Sequence, residues 1–466
     1  MPLDAWAAFE LAKVSKELVA LRSPGSTYPA LDHPCNALPS PLPCVAAVRQ
    51  LCETRDLAGC RAALLNAILG TSEPPADKPL REIDAQHSWP ASVQNNFTTG
   101  LLPAIVPSML VWPITSSRLG HREESTVLYY RSTSAQRSID TIVLYHHGHS
   151  ESGGDCVPHL NSLPKRMSDA GYDVMELWMP LMNCRKMEAN AGKSNTYEYM
   201  KHLTWIKCRE LYRRGSRGKT IFNHAERGHH SWYSLFDFPT ANSSGKPALR
   251  YFVEPVLLAV AHARRQGYRN VVLVGMSGGA WTVLVAASLL ADVNLTVPIA
   301  GTCRDEILKP REASGDFHFE RTHMQHLVDD RQLYRMAALE RGRVVLQIYH
   351  ERDIRSGCPA PRSGWSRIRM LDGNVSEWVH GHMHTAVTND LDREHMLGQA
   401  DLNVTIRAIE LLRVGKLLPD ALDKLPDDVI RERVPGRKGD DFKGHDLGRM
   451  YDRRKLLFGG TGLYDL

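Results

Sequence analysis

The stretch Val271–Ala291, VVLVGMSGGAWTVLVAASLLA, limits the folds open to this chain more than any other. Its first four residues are apolar and mostly β-branched, as a buried strand requires. Gly275-Met276-Ser277-Gly278-Gly279 follows, and then an uncharged helix-forming run from Ala280. A strand, a G-x-S-x-G turn and a helix in direct succession force a very sharp bend. Small residues must flank the serine, and the serine hydroxyl is lifted clear of the sheet at a helix N-terminus. There the N–H of Gly278 is placed to meet an oxyanion. Two plainer readings compete. The run carries no charge, as a membrane span would not, but three glycines and a serine interrupt it and its first third is strand-like. Ser277 would otherwise be an ordinary helix N-cap.

With 466 residues the chain is long for one domain and allows two. A net charge of +5 over that length is mild, and no basic stripe interleaved with aromatics accompanies it, so nucleic acid is not an expected partner. The opening MPLDAWAAFELAKVSKELVALRS has acidic residues and helical spacing of Trp6, Phe9, Leu11, Val14 and Leu18, unlike a signal peptide. That favours the cytoplasm. Export stays open because nine cysteines are present, with Cys35, Cys44, Cys52 and Cys60 clustered early, and because sequons occur at Asn96, Asn242, Asn294, Asn374 and Asn403. The early cysteines lack C-x-x-C spacing, which argues against zinc.

Along the chain, residues 1–100 read as a helical extension, either packed on the main domain or partly covering its site: an amphipathic helix to residue 22, a proline-rich linker, and a second helix over Val45–Leu69. The main domain is expected over 101–418, with strands at Thr126–Tyr130, Ser138–Tyr145, Asp173–Trp178, Asn294–Ala300 and Arg343–Tyr349, and a last one at Ser366–Leu371. Helices are expected at Pro158–Ala170, Tyr251–Gln266 and Asp329–Arg341, and a helical pattern follows WVHGHMHTAV to Leu418. Strand–helix alternation predicts an α/β fold with a mostly parallel, doubly wound sheet. Residues 183–246, basic and rich in histidine and aromatics, read as a loop insertion over the rim of the site. The charged stretch 419–466 reads as a peripheral tail.

A serine hydroxyl is a weak nucleophile without a base beside it, and the base is commonly a histidine oriented by a carboxylate. In open α/β sheets ligands gather at the carboxyl ends of strands. Asp353 lies four residues beyond RVVLQIY, with Glu351 and Asp372 as substitutes. His384 is the chosen base, on the reading that a loop turns into a helix there; His382 is the alternative and His380 the third choice. An earlier turn, His146-His147-Gly148-His149, follows the strand SIDTIVLY.

The GMSGG elbow, the HHGH turn, and a serine, acid and histidine in that chain order resemble the α/β-hydrolase superfamily, over about residues 120–415. HxGH, GYDVMELWMPL and GMSGGAWT resemble a little-characterised group of serine hydrolases within it. The resemblance implies an eight-stranded, mostly parallel sheet and hydrolysis of a small-molecule carboxylic ester or thioester through an acyl-enzyme, with no cofactor. It implies Ser277 as nucleophile, Asp353 as acid, His384 as base, and Gly278 with Gly148 or His149 as oxyanion donors. Two rivals remain: a binding protein on the same fold, and a metal hydrolase ligated by His146, His147 and His149 with His380, His382 and His384. Metal ligation leaves the elbow unexplained.

Overall fold

The computed structural model describes residues 50–52, 56–69, 75, 81–83, 108–116, 121–148, 163–177, 250–301, 328, 330–350, 380–388, 397–417 and 419–422. The chain divides into two compact units, 1–429 and 430–466, and every described residue lies in the first. In chain order the elements are α1 (Leu57–Leu69), β1 (Arg81–Ile83), β2 (Ser108–Ser116), β3 (His121–Tyr130), β4 (Thr141–His146), α2 (Leu163–Asp169), β5 (Asp173–Leu177), α3 (Arg250–Arg265), β6 (Asn270–Met276), α4 (Gly278–Leu289), β7 (Leu295–Ile299), α5 (Asp330–Ala337), β8 (Val344–His350), β9 (His382–Thr388), α6 (Gln399–Arg413) and α7 (Pro419–Leu422).

Among the described residues the strands form one nine-stranded sheet in the order β1-β2-β3-β5-β4-β6-β7-β8-β9. The pairs from β1 through β3 to β5 are antiparallel, and all others are parallel. The central strands TIVLYH, DVMEL and LTVPI are buried at every position, which is why they read as nearly unbroken apolar runs rather than alternating ones. The three-residue β1 is a ninth strand, beyond the eight that the resemblance implies.

The path of the chain decides which face each helix covers. From β4 it moves one way to β5, then returns past β4 to β6 and continues outward to β7 and β8. Right-handed crossovers in opposite directions put their helices on opposite faces. Thus α3, α4 and α5 pack together on one face with α1, while α2 covers the other. There α2 meets α6 through an Arg166–Gln399 hydrogen bond, and the Arg413 guanidinium lies 5.8 Å from the centroid of the Tyr172 ring. The reversal leaves a crevice at the carboxyl ends of β4 and β6, the place where such sheets bind ligands.

The expected division at residue 100 falls at no break in the core. Leu64, Leu65, Ile68 and Leu69 of α1 join the same apolar cluster as β4 and β6. Arg61 ties α1 down, donating to the carbonyls of Ser288 and Met336 at 2.9 Å each and pairing with Glu340. A disulfide joins Cys52 to Cys60 at the start of this helix. At the other end, the core runs past residue 418, since Leu422 of α7 is fully buried. The expected helix over 1–22, the strand at 366–371 and the 183–246 insertion lie outside the described residues.

One assignment changes in a way that matters for chemistry. HMHTAVT at 382–388 is a strand, not the approach to a helix, and the helix begins only at Gln399. Its alternation and its Thr385, Val387 and Thr388 suit a pleated strand. The histidines masked that signal.

Candidate active site

Ser277 occupies the single residue between β6 and α4. Its backbone sits at φ 55 and ψ −124, a region that costs a non-glycine residue of order 1–3 kcal/mol. Neighbouring backbone holds it there. The Ser277 N–H donates to Ile299 O at 2.9 Å, and its carbonyl accepts from Ala280 N at 2.9 Å. Two flanking turns press against it with no room for a side chain. A Cβ at Gly148 would lie 2.6 Å from Ser277 Cβ, and one at Gly301 would lie 1.9 Å from Ser277 O. Ala300, beside Gly301, is the other described non-glycine residue at positive φ. Gly278 opens α4, so its N–H is one of those with no acceptor inside the helix.

The turn after β4 forms the second wall. Gly148 touches the elbow; His149 lies outside the described residues. The His147 N–H donates to Leu177 O at 2.9 Å and so extends the β4–β5 ladder by one residue. The His147 imidazole places Nε2 2.5 Å from Glu176 Oε1, and the Tyr130 hydroxyl donates to Glu176 Oε2 at 2.7 Å. Glu176 has no solvent exposure.

The three candidate bases lie far from Ser277. The His380 N–H bonds Leu339 O, beside the connection that leads into β8. His382 pairs with Val344, the first residue of β8, so both histidines stand at the amino edge of the sheet. His384 is two residues further along, opposite Leu346, in the middle of a strand. From β6 to β9 there are three strand spacings. At about 4.8 Å per strand and 3.3 Å per residue, His384 is roughly 14 Å across the sheet and 10 Å along it from Ser277. No side chain closes that gap, so His384, His382 and His380 are not brought to the serine. The strand assignment is the reason: a base must leave the carboxyl end of β9, and these residues enter its amino end. Asp353 follows His350, the last residue of β8; Asp353, Glu351 and Asp372 lie outside the described residues.

The same geometry splits the histidine set considered for metal. His146 and His147 are at the carboxyl end of β4, while His380 and His382 are at the opposite edge. Among the described residues no three His, Cys, Asp or Glu side chains converge as a metal cluster. Nor, among them, is any helix long and apolar enough to cross a membrane.

Sequence reasoning missed a buried junction at the other end of β8 and β9. Asp401, in the first turn of α6, has no exposure. Its Oδ2 lies 2.9 Å from His350 Nε2 and accepts from Gly398 N at 2.8 Å, and its Oδ1 accepts from Thr388 Oγ1 at 2.6 Å. His350 and Thr388 are the last residues of their strands, and they are register partners. One carboxylate thus fastens two strand exits and a helix start. An acidic residue in the first turn of a helix that follows a strand was the only available signal.

Sheet order, the reversal at β4 and a serine held at a strand–helix elbow define this chain as an α/β-hydrolase fold. No protein-family profile matches the sequence. No curated protein matches it either. Similar solved structures include the acylaminoacyl peptidase of Pyrococcus horikoshii, at TM-score 0.35 and 12% identity, covering 63% of this chain and 38% of that one. The acetyl xylan esterase of Paenibacillus sp. R4 aligns at TM-score 0.39 and 13% identity, over 78% of this chain and 94% of that one. An S-formylglutathione hydrolase of Agrobacterium tumefaciens aligns at TM-score 0.33 and 12% identity, over 70% and 94%. The chain therefore spans well under half of the peptidase and nearly all of the two smaller enzymes.

Proposed function

We propose that the chain is a serine hydrolase that cleaves a carboxylic ester or thioester through an acyl-enzyme on Ser277. The observation that carries this is the strained Ser277 backbone, clamped between the Gly148 and Gly301 turns at the crevice of the sheet. A mere N-cap needs no such strain, and Ser277 makes no side-chain capping bond.

Ser277 Oγ attacks the substrate carbonyl and gives its proton to a base. The N–H of Gly278 and a donor from the Gly148–His149 turn hold the resulting oxyanion. A donor of this kind is typically worth about 3 kcal/mol of barrier. The protonated base then passes its proton to the leaving group, and water resolves the acyl-enzyme. Esters are favoured over amides because their leaving groups depart more easily.

For the base we put forward His395 in place of His384. It lies in the connection between Thr388, at the carboxyl end of β9, and Gln399, where α6 begins. Both ends of that connection are anchored through Asp401 at the carboxyl edge. Asp353 remains the proposed acid. The Cys52–Cys60 disulfide supports an oxidising compartment over the cytoplasm.

The test is steady-state hydrolysis of p-nitrophenyl esters of graded acyl length by wild type, His395→Ala and His384→Ala. Loss of a general base costs roughly 10²–10⁴ in rate, and that loss is expected for His395→Ala alone. Equal activity in all three proteins would remove His395 from the mechanism. No turnover of any ester or thioester by the wild type would remove the ester reading.

A further inference from the structure

We infer that Tyr130, Glu176 and His147 form a positioning chain that holds the turn after β4 against Ser277, so that turnover depends on the Glu176 carboxylate. This rests on the serine-hydrolase reading above and assigns to that site a group outside the nucleophile, acid, base and oxyanion donors.

The chain crosses three adjacent strands. Tyr130 ends β3, Glu176 is on β5 and His147 follows the last residue of β4. Glu176 is the register partner of Tyr145, whose ring meets the His147 imidazole edge-on at 4.6 Å. The imidazole is therefore held by a carboxylate on one side and packed against a ring. The His147 main chain is held separately, by Leu177 of the same strand. Side chain and backbone of one residue are thus both fastened to β5. The next residue is Gly148, whose backbone is in contact with the nucleophile.

Energetics point away from a packing role. Glu176 has no exposure, and its neighbours along the strand, Val174, Met175 and Leu177, are buried as well. A buried carboxylate is costly to desolvate, and apolar replacement of such pairs is often neutral or stabilising. A strand that needed only to pack would be served by another apolar residue. What a carboxylate supplies is direction. Ionised, it only accepts, so Tyr130 O–H and His147 Nε2–H must both donate to it. That fixes the tautomer and orientation of His147 and, through its peptide, the direction of the next N–H groups. An amide at 176 presents one oxygen and one NH₂ group. Where that NH₂ group faces a partner, the partner must switch from donating to accepting, and an imidazole that does so carries its proton on Nδ1 instead of Nε2. Misplacement of a catalytic group by about 1 Å costs on the order of 100-fold in rate.

The experiment compares full-length wild type, Glu176→Gln and Tyr130→Phe in p-nitrophenyl butyrate hydrolysis. Rates are normalised to active sites titrated with a fluorophosphonate, and thermal unfolding is followed in parallel. For Glu176→Gln the expected result is a kcat per titrated site at least tenfold lower with KM within about twofold, since the ground-state ester needs no oxyanion donor. For Tyr130→Phe the expected loss of kcat is severalfold. A purely structural role would lower the unfolding midpoint and the number of titratable sites but leave kcat per site unchanged, and that result overturns the inference. If Glu176→Gln does not fold, unchanged kcat per site in Tyr130→Phe overturns it equally. Failure of the underlying reading shows in the wild type alone, as neither labelling nor turnover, and takes this inference with it.

Discussion

The two halves of the carboxyl edge of this sheet are built by different means. Around β4, β6 and β7 the structure is made of backbone packed on backbone. Gly148, Gly275, Gly279 and Gly301 each stand where a Cβ would come within 2.6 Å of a neighbour. Around β8 and β9 the work is done by a side chain, as Asp401 gathers His350, Thr388 and Gly398 from elements up to 51 residues apart. Backbone contact leaves a local mark, because only glycine fits. Side-chain convergence leaves none, since an aspartate at position 401 does not say which strand ends it will meet.

That contrast explains what could be read in advance. The β6 strand, the turn at Ser277 and the α4 helix lie in one short stretch, so the elbow was legible down to its residues. The doubly wound, mostly parallel sheet was legible too, because its central strands are buried on both faces. The base was not. His384 was chosen on the reading that a loop turns into a helix there, but its strand runs through the sheet and puts it three strands away. Reading HMHTAVT as a strand would have moved the search past Thr388, to the segment that carries His395. Where the N-terminal extension packs was left open between the main domain and its site. α1 is apolar nearly all round, which marks a buried helix rather than an appendage.

The contrast can be broken or sharpened by substitution. The largest expected effect is at Gly301→Ala, whose Cβ would stand 1.9 Å from Ser277 O and 2.4 Å from Ala280 Cβ. Overpacking of this kind costs typically 1–3 kcal/mol or more, and here Ser277 itself must shift. Fluorophosphonate labelling should fall at least 100-fold even where the protein stays folded. Labelling at the wild-type rate would show that the elbow is not held by that turn.

Next is Asp401→Ala, which leaves a histidine, a hydroxyl and a backbone N–H without their shared acceptor. Removing one partner of a buried charged network costs about 3–5 kcal/mol, so chemical denaturation should show a loss of that order. Asp401→Asn should recover part of it. A loss below about 1 kcal/mol, small against the 1–3 kcal/mol of each orphaned polar group, would mean that the β8 and β9 exits are held by something else.

The smallest effect is expected far from the site, at Glu340. Burial raises its pKa, but Arg61 and Arg343 outweigh burial and hold it below its ordinary value of 4.5. A depressed carboxylate contributes stability that is present above the unfolded value and lost as pH falls through the folded one. Because Glu340 is about a third exposed, the contribution is screened and stays below about 1 kcal/mol. Glu340→Gln should lower the unfolding midpoint slightly at pH 7, and the difference should shrink as pH falls below 4.5 and vanish once the folded carboxylate is protonated. A difference that persists there would assign the effect to packing instead of charge.

The central claim is that Ser277 is an activated nucleophile. Intact-protein mass spectrometry after fluorophosphonate treatment tests it most directly, with wild type beside Ser277→Ala and a denatured wild-type control. The account predicts one phosphonyl adduct on folded wild type, located at Ser277, and none on Ser277→Ala or on the denatured chain. Undiminished labelling of Ser277→Ala, or no labelling of folded wild type, would contradict it.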